Sequence, residues 1–164
     1  MSNLLQILQN CKDVKVINAL IDYKDYTPLN LTSSNKDLEN FDLSDALAFE
    51  NYIEQHLANN NAKVAFGGYK EVRNIYKRST VFKNDVTDER NIHIGLDLWI
   101  NESASVHAAL GGTIHSLQNN TALGDYGPTI IIEHELEGIV FHTLYGHLSE
   151  ESLKGKHVGD RIAQ

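Results

Sequence analysis

The chain has 164 residues, of which 41% are hydrophobic and 22% charged. That is the size and composition of one globular domain, or a domain with a subdomain, able to bury a real core. A net charge of −8 without any long basic run argues against a nucleic-acid partner, and the single cysteine, Cys11, rules out an internal disulfide. The first residues lack the basic and apolar blocks of an export signal, and no apolar run reaches membrane-span length. Taken literally, the sequence predicts a cytoplasmic protein with no membrane partner.

In chain order, residues 4–9 predict a short amphipathic helix with Leu4, Leu5 and Leu8 on one face, and Cys11 packing at its end. Val14 to Ile21 is apolar enough for a strand, and Tyr23 to Asn35 reads as irregular, interrupted by Pro28. Ser44 to Asn59 is the clearest helix. Ser44 is its expected N-cap, and Phe49, Tyr52, Ile53 and His56 recur at i, i+3, i+4 and i+7. From Ala62 the pattern changes to short strands: Lys63 to Phe66, then Val72 to Tyr76 after Gly67-Gly68, then a polar connection over Asn84 to Glu89. Ser105 to Leu110 and Thr113 to Leu117 predict a hairpin turning at Gly111-Gly112. Thr129 to His134 and Ile139 to Tyr145 predict a second hairpin around Glu135 to Gly138. The last eleven residues read as a loop entering another strand. These elements predict an α+β, β-rich fold, with an antiparallel sheet core and an α-containing N-terminal region.

The stretch Arg90 to Trp99 carries the most chemistry. His93 and Asp97 stand four residues apart in a β-prone run, with Gly95 midway. In an extended strand they would be separated by roughly 13 Å, too far to share one ion. A bend at Gly95, the least restricted residue type, would bring them together. Imidazole nitrogen and carboxylate oxygen would then suit a small cation such as Zn²⁺. The plainer reading is an ordinary strand whose polar residues face water.

Seven of the eight histidines lie from His93 onward. His147 falls where the strand ending at Tyr145 gives out, a position from which an imidazole can exchange protons with a cleft. His134, at the end of the neighbouring strand, is expected to face the same cleft. His142 is expected on the opposite face, His107 and His115 as framework, His157 in solvent, and His56 as a structural residue late in its helix. Other chemistries are poorly represented. The sequence contains no Gly-x-Ser-x-Gly elbow, no glycine-rich phosphate loop and no His-Glu-x-x-His.

The ordered motifs resemble those of the lysostaphin and LytM-type zinc metalloendopeptidases. The family opens on His-x-Gly-x-Asp, here His93, Gly95 and Asp97. It continues with a Val-x-Ala-x-x-x-Gly-x-Val segment, here Val106, Ala108, Gly112 and Ile114. A Tyr-Gly-x-x-Ile-Ile-x-x-His segment follows, here Tyr126-Gly127, Ile130-Ile131 and His134, then Tyr-x-His-Leu-Ser, here Tyr145, His147, Leu148 and Ser149. Gly67 to Arg73 adds a looser match to an extension seen in part of the family. The resemblance implies a LytM-type, duplicated-hybrid-motif-like domain over residues 86–164, preceded by an α/β extension over residues 1–85. It implies His93 and Asp97 as zinc ligands, His147 as the catalytic histidine, and metal-activated water hydrolysing a peptide bond. The family-typical substrate is a peptidoglycan peptide, which places most members outside the cytoplasm.

The family pattern closes on a His-x-His strand that supplies the third zinc ligand, and no His-x-His follows residue 147. The resemblance therefore implies a C-terminally incomplete domain, inactive on its own. The alternative is a non-catalytic peptide- or protein-binding or regulatory module built on a degenerate peptidase domain. A third expectation is an oligomer formed through an open sheet edge. Asn35 is a candidate to cover the zinc site, as propeptide asparagines do in some relatives.

Overall fold

The structure, a computed structural model, describes residues 3–17, 20–73, 91–100, 104–122 and 124–163. It is α+β and β-rich, and its sheets are almost wholly antiparallel. The chain divides into two compact units, Met1–Ala19 with Ser105–Gln164, and Leu20–Ala104. The expected boundary between residues 85 and 86 and the connection over Asn84 to Glu89 lie outside the described residues. Among the described residues, no helix is long and apolar enough to cross a membrane.

The first unit is built on a four-stranded antiparallel sheet. Its strands are β6 (Gly112–Asn120), β7 (Gly127–Leu136), β8 (Ile139–Tyr145) and β9 (Arg161–Ile162), in the order β8-β7-β6-β9. The β7–β8 hairpin forms as expected, with the strands running further into the turn. Leu136 pairs with Ile139, and Glu137 and Gly138 both have positive φ, 50° and 77°. Two such residues give the turn whose twist suits a two-residue hairpin loop. Ala108, Ile114, Ile130 and Ile132 form the buried core, with Leu117, Tyr145, Leu148, Leu153 and Ile162 packed against it.

The hairpin expected between residues 105–110 and 113–117 does not form. Gly111-Gly112 leads into β6, and β6 is hydrogen-bonded on both sides, by β7 and by β9 at Gly112 and Thr113. The Gly159 N–H donates to the Ile114 carbonyl, which extends that occupied edge. The segment instead makes a bridge from Val106 to Ile17, with the His107 N–H donating to the Val16 carbonyl, and part of the expected strand Val14 to Ile21 lies outside the described residues. Helix α1 (Asn3–Asn10) forms, but Ile7 is its buried residue while Leu5 is 54% exposed. The inward stripe is therefore Leu4, Ile7 and Leu8, the i, i+3, i+4 set.

In the second unit, β1 (Tyr26–Pro28) pairs in parallel with β2 (Val64–Gly67), which pairs antiparallel with β5 (Asp97–Ile100). A separate two-stranded ladder joins β3 (Glu71–Val72) to β4 (Ile92–His93). Helix α2 (Ala46–Asn59) turns Ile53 and Leu57 into a core with Leu29, Leu31 and Ala65, and Phe49, Tyr52 and Trp99 pack around it. Its cap is Asp45, one residue after the expected Ser44. The Asp45 carboxylate accepts from the N–H groups of Leu47 and Ala48, whereas the Ser44 hydroxyl donates to Asp42. Asp45 suits the role because its charge also meets the positive end of the helix dipole. The imidazole Nε2 of His56 lies 2.9 Å from the Pro28 carbonyl, the structural role expected of it.

Candidate functional site

The pairings of the second unit create a corner. Strand β2 runs through Gly68, Tyr69 and Lys70 into β3, while β4 runs through Ile94, Gly95 and Leu96 into β5. One antiparallel ribbon is thus interrupted at facing places. His93 closes one ladder opposite Glu71, and Asp97 opens the other opposite Gly67. The bend falls on Gly95, and it brings Asp97 Oδ2 to 3.5 Å from His93 Nδ1. The bend at Gly95 thus brings the two side chains together, as the spacing anticipated, with Nδ1 and Oδ2 as the near atoms.

Each side chain has a defined support. His93 Nδ1 lies 3.0 Å from the Gly68 carbonyl, which can only accept. A proton on Nδ1 would satisfy that carbonyl, and in the neutral ring this tautomer has its lone pair on Nε2, the arrangement typical of metal-ligating imidazoles. Gly68 has φ +103°, and a Cβ there would lie 2.6 Å from His93 Nδ1 and 2.9 Å from Asp97 Oδ2. Only glycine allows this approach. At Gly95, a Cβ would stand 3.1 Å from His93 Nε2, so its absence keeps that nitrogen approachable.

Arg73, 6% exposed, lies beneath the pair. One of its terminal nitrogens is 2.6 Å from Asp97 Oδ2 and 2.8 Å from Glu71 Oε2, and its Nε donates to the same Glu71 oxygen at 2.9 Å. Glu71 Oε1 accepts from the Leu31 N–H. Among the described residues, two carboxylates, those of Glu71 and Asp97, meet this guanidinium. The donor types suit zinc, at bond lengths of about 2.0–2.2 Å. Among the described residues, the resemblance assigns two donors to this corner, His93 and Asp97, where a catalytic zinc normally has three from protein.

The Asn35 side chain is engaged in its own turn. Its oxygen accepts from the Asp37 N–H, and its amide donates to the Asn30 carbonyl and the Tyr52 hydroxyl. It is a turn asparagine.

His147 belongs to the first unit. It is exposed, just past the end of β8, and has φ +54°, uncommon for a residue with a side chain. Bonds on both sides impose that conformation. Its N–H donates to the Tyr126 carbonyl at 2.7 Å, and the Leu148 N–H donates to Pro128 at 3.0 Å. The Tyr126 and His147 rings are 6.2 Å apart.

His134 does not share an exposed setting with His147. It sits inside β7 rather than at its end and is 1% exposed. Its Nδ1 meets the Gly111 carbonyl at 3.0 Å and its Nε2 the Thr143 hydroxyl at 2.7 Å, while its ring stacks on Phe141. Thr143 in turn contacts the Tyr145 hydroxyl, which accepts from the Ala109 N–H. His134 is therefore a buried framework residue. His142 and His115, on the solvent face of the same sheet, lie side by side with ring centroids 4.8 Å apart. His107 and His157 are exposed, as expected for His157.

Sequence reasoning missed Arg73 and Glu71 as partners of Asp97. The segment containing them was visible as the looser part of the resemblance. Arg73 and Asp97 are 24 residues apart, however, so only the pairing of β3 with β4 shows that they meet.

Comparison with known proteins places this geometry in a family context. Residues 91–164 match the model described as Peptidase family M23. This bears out the LytM-type resemblance over a stretch that contains His93, Asp97 and His147. No curated protein and no solved structure matched the chain.

Proposed function

We propose that the chain carries the metal-binding part of a zinc metalloendopeptidase, with His93 and Asp97 as protein ligands and His147 as the catalytic histidine. The observation that supports this most is the corner at Gly95, where imidazole and carboxylate are brought together and the Gly68 carbonyl suits a proton on Nδ1, the tautomer that ligates through Nε2. His93 would bind through Nε2, and Asp97 through the oxygen not paired with Arg73. Arg73 orients the Asp97 carboxylate, and Glu71 holds Arg73 in place. Zinc held there would supply a Lewis acid and acidify water for attack on a peptide carbonyl. By the family resemblance, His147 would be the residue that helps position or deprotonate the attacking water. Its imposed positive φ supports a positioned role, since such conformations persist where surrounding bonds over-determine them. The substrate class is a peptide, with peptidoglycan stems and cross-links as the family-typical form.

A catalytic zinc takes three protein donors, and the resemblance assigns two here. The isolated chain is accordingly expected to be inactive in peptide hydrolysis until a third donor is supplied. A second reading, a peptide-binding or regulatory module, draws on the Arg73–Asp97 pair, which satisfies the carboxylate without any metal. Zinc affinity measured by competition with a chromophoric chelator, in a His142→Ala background that removes the exposed Glu133–His142 pair, separates the two. The peptidase reading expects His93→Ala and Asp97→Asn each to weaken zinc by about tenfold or more, the factor that 1.4 kcal/mol represents. Unchanged zinc affinity in both variants would refute it and leave the binding module.

A further inference from the structure

The solvent face of the four-stranded sheet carries a cluster that the proposed peptidase centre does not use. His115 on β6, Glu133 on β7 and His142 on β8 present one ligand atom each, all within 4.8 Å of one another. We propose that these three side chains form a second metal site, for a divalent ion of the zinc, cobalt or nickel type.

The placement follows from strand register. Glu133 pairs directly with His142 across the β7–β8 ladder, so both side chains leave the sheet on the same face. Their burial pattern confirms which face: Ile132 and His134, the neighbours of Glu133, are buried, whereas Glu133 and His142 are about half exposed. His115 reaches the same place through an irregularity. The β6–β7 register shifts between Ile114 and Ser116, so His115 is the extra residue of a bulge. Bulges re-aim side chains. Here the result is that the His115 ring meets the edge of the His142 ring at an interplanar angle of 83°.

The distances suit an ion. His142 Nε2 and Glu133 Oε2 are 3.2 Å apart. Two ligands at about 2.0–2.1 Å from one tetrahedral zinc are separated by about 3.3 Å, from the geometry of such sites. This pair therefore already has the spacing of two ligands on one ion, and a small rotation of His115 would supply the third. The Nδ1 of His115 lies 3.3 Å from the Ser116 hydroxyl, an outer partner of the kind that orients ligating imidazoles. Two imidazoles and one carboxylate make a borderline donor set. It suits zinc, cobalt, nickel or copper, and not magnesium or calcium, which prefer oxygen ligands. Three protein donors at an exposed position leave the remaining coordination place open to solvent or to a donor from another molecule.

The test is Co²⁺ binding to the full chain, followed by its visible absorption and by calorimetric stoichiometry, in the wild type, His93→Ala, His142→Ala and Glu133→Gln. His142 and Glu133 are exposed, so neither substitution threatens the fold. Expected are two equivalents of cobalt in the wild type, one lost on His93→Ala and a second that survives it and that His142→Ala weakens by about tenfold or more. Glu133→Gln, which keeps the shape and removes the charge, should weaken it less. Cobalt binding equal in the wild type, His142→Ala and Glu133→Gln would overturn the second site while leaving His93 and Asp97 untouched. Loss on His93→Ala alone would likewise overturn it and favour the peptidase centre. Loss on His142→Ala alone would favour the second site and count against the peptidase centre.

Discussion

Two imidazole–carboxylate groupings in this molecule are made from the same parts and supported in opposite ways. The His93–Asp97 corner rests on ladders of a few residues, interrupted at facing bends, and is held by a nearly buried guanidinium between two carboxylates. The Glu133–His142 pair rests on a ladder of seven paired positions and needs nothing beneath it except regular register. The first is pre-organised by charge, and its geometry is tied to the stability of its unit. The second is pre-organised by backbone, and its side chains can change at little cost. A functional reading based on residue types alone would treat the two as equal.

Breaking the charge support should have the largest effect. Arg73→Met leaves Glu71 and Asp97 facing one another without their cation. Removing one partner of a buried pair costs about 3–5 kcal/mol, and because Asp97 is partly exposed, a value near the low end is expected in urea unfolding. A loss below about 1 kcal/mol would place this pair with ordinary surface ion pairs. His134→Ala comes next, at about 2–3 kcal/mol, because it empties a fully buried site and strips hydrogen bonds from the Gly111 carbonyl and Thr143. Gly68→Ala combines an unfavourable φ with a clash against His93. It should cost about 1 kcal/mol or more and weaken zinc at His93 while sparing any metal at His142. Smallest is His142→Ala, expected within about 0.5 kcal/mol of wild type in the same unfolding assay. A larger loss would mean that the exposed face contributes to the sheet's stability after all.

Much of the framework was legible in the sequence. The period of Phe49, Tyr52 and Ile53 showed α2, and the alternation from Thr129 to Tyr145 showed the β7–β8 hairpin, because local patterning decides both. The bend at Gly95 was legible for the same reason. What failed depended on distant pairing. The double glycine at 111–112 signalled a turn, but β9 had already taken the edge that the expected hairpin needed. His134 was read by its distance from a hairpin turn, yet the strand runs past it and alternation puts it inside. Arg73 beside Asp97 and His115 beside His142 both arise from contacts between separate strands, one across a two-residue ladder and one through a bulge. Neither leaves a mark in local spacing.

The most direct test of the His93 site is a zinc titration of the full chain, followed by NMR of the histidine ring nitrogens. The account predicts that His93 Nε2 moves to the position of a coordinated nitrogen while Nδ1 keeps its proton against the Gly68 carbonyl. A His93 ring whose nitrogens stay unchanged at saturating zinc would contradict it.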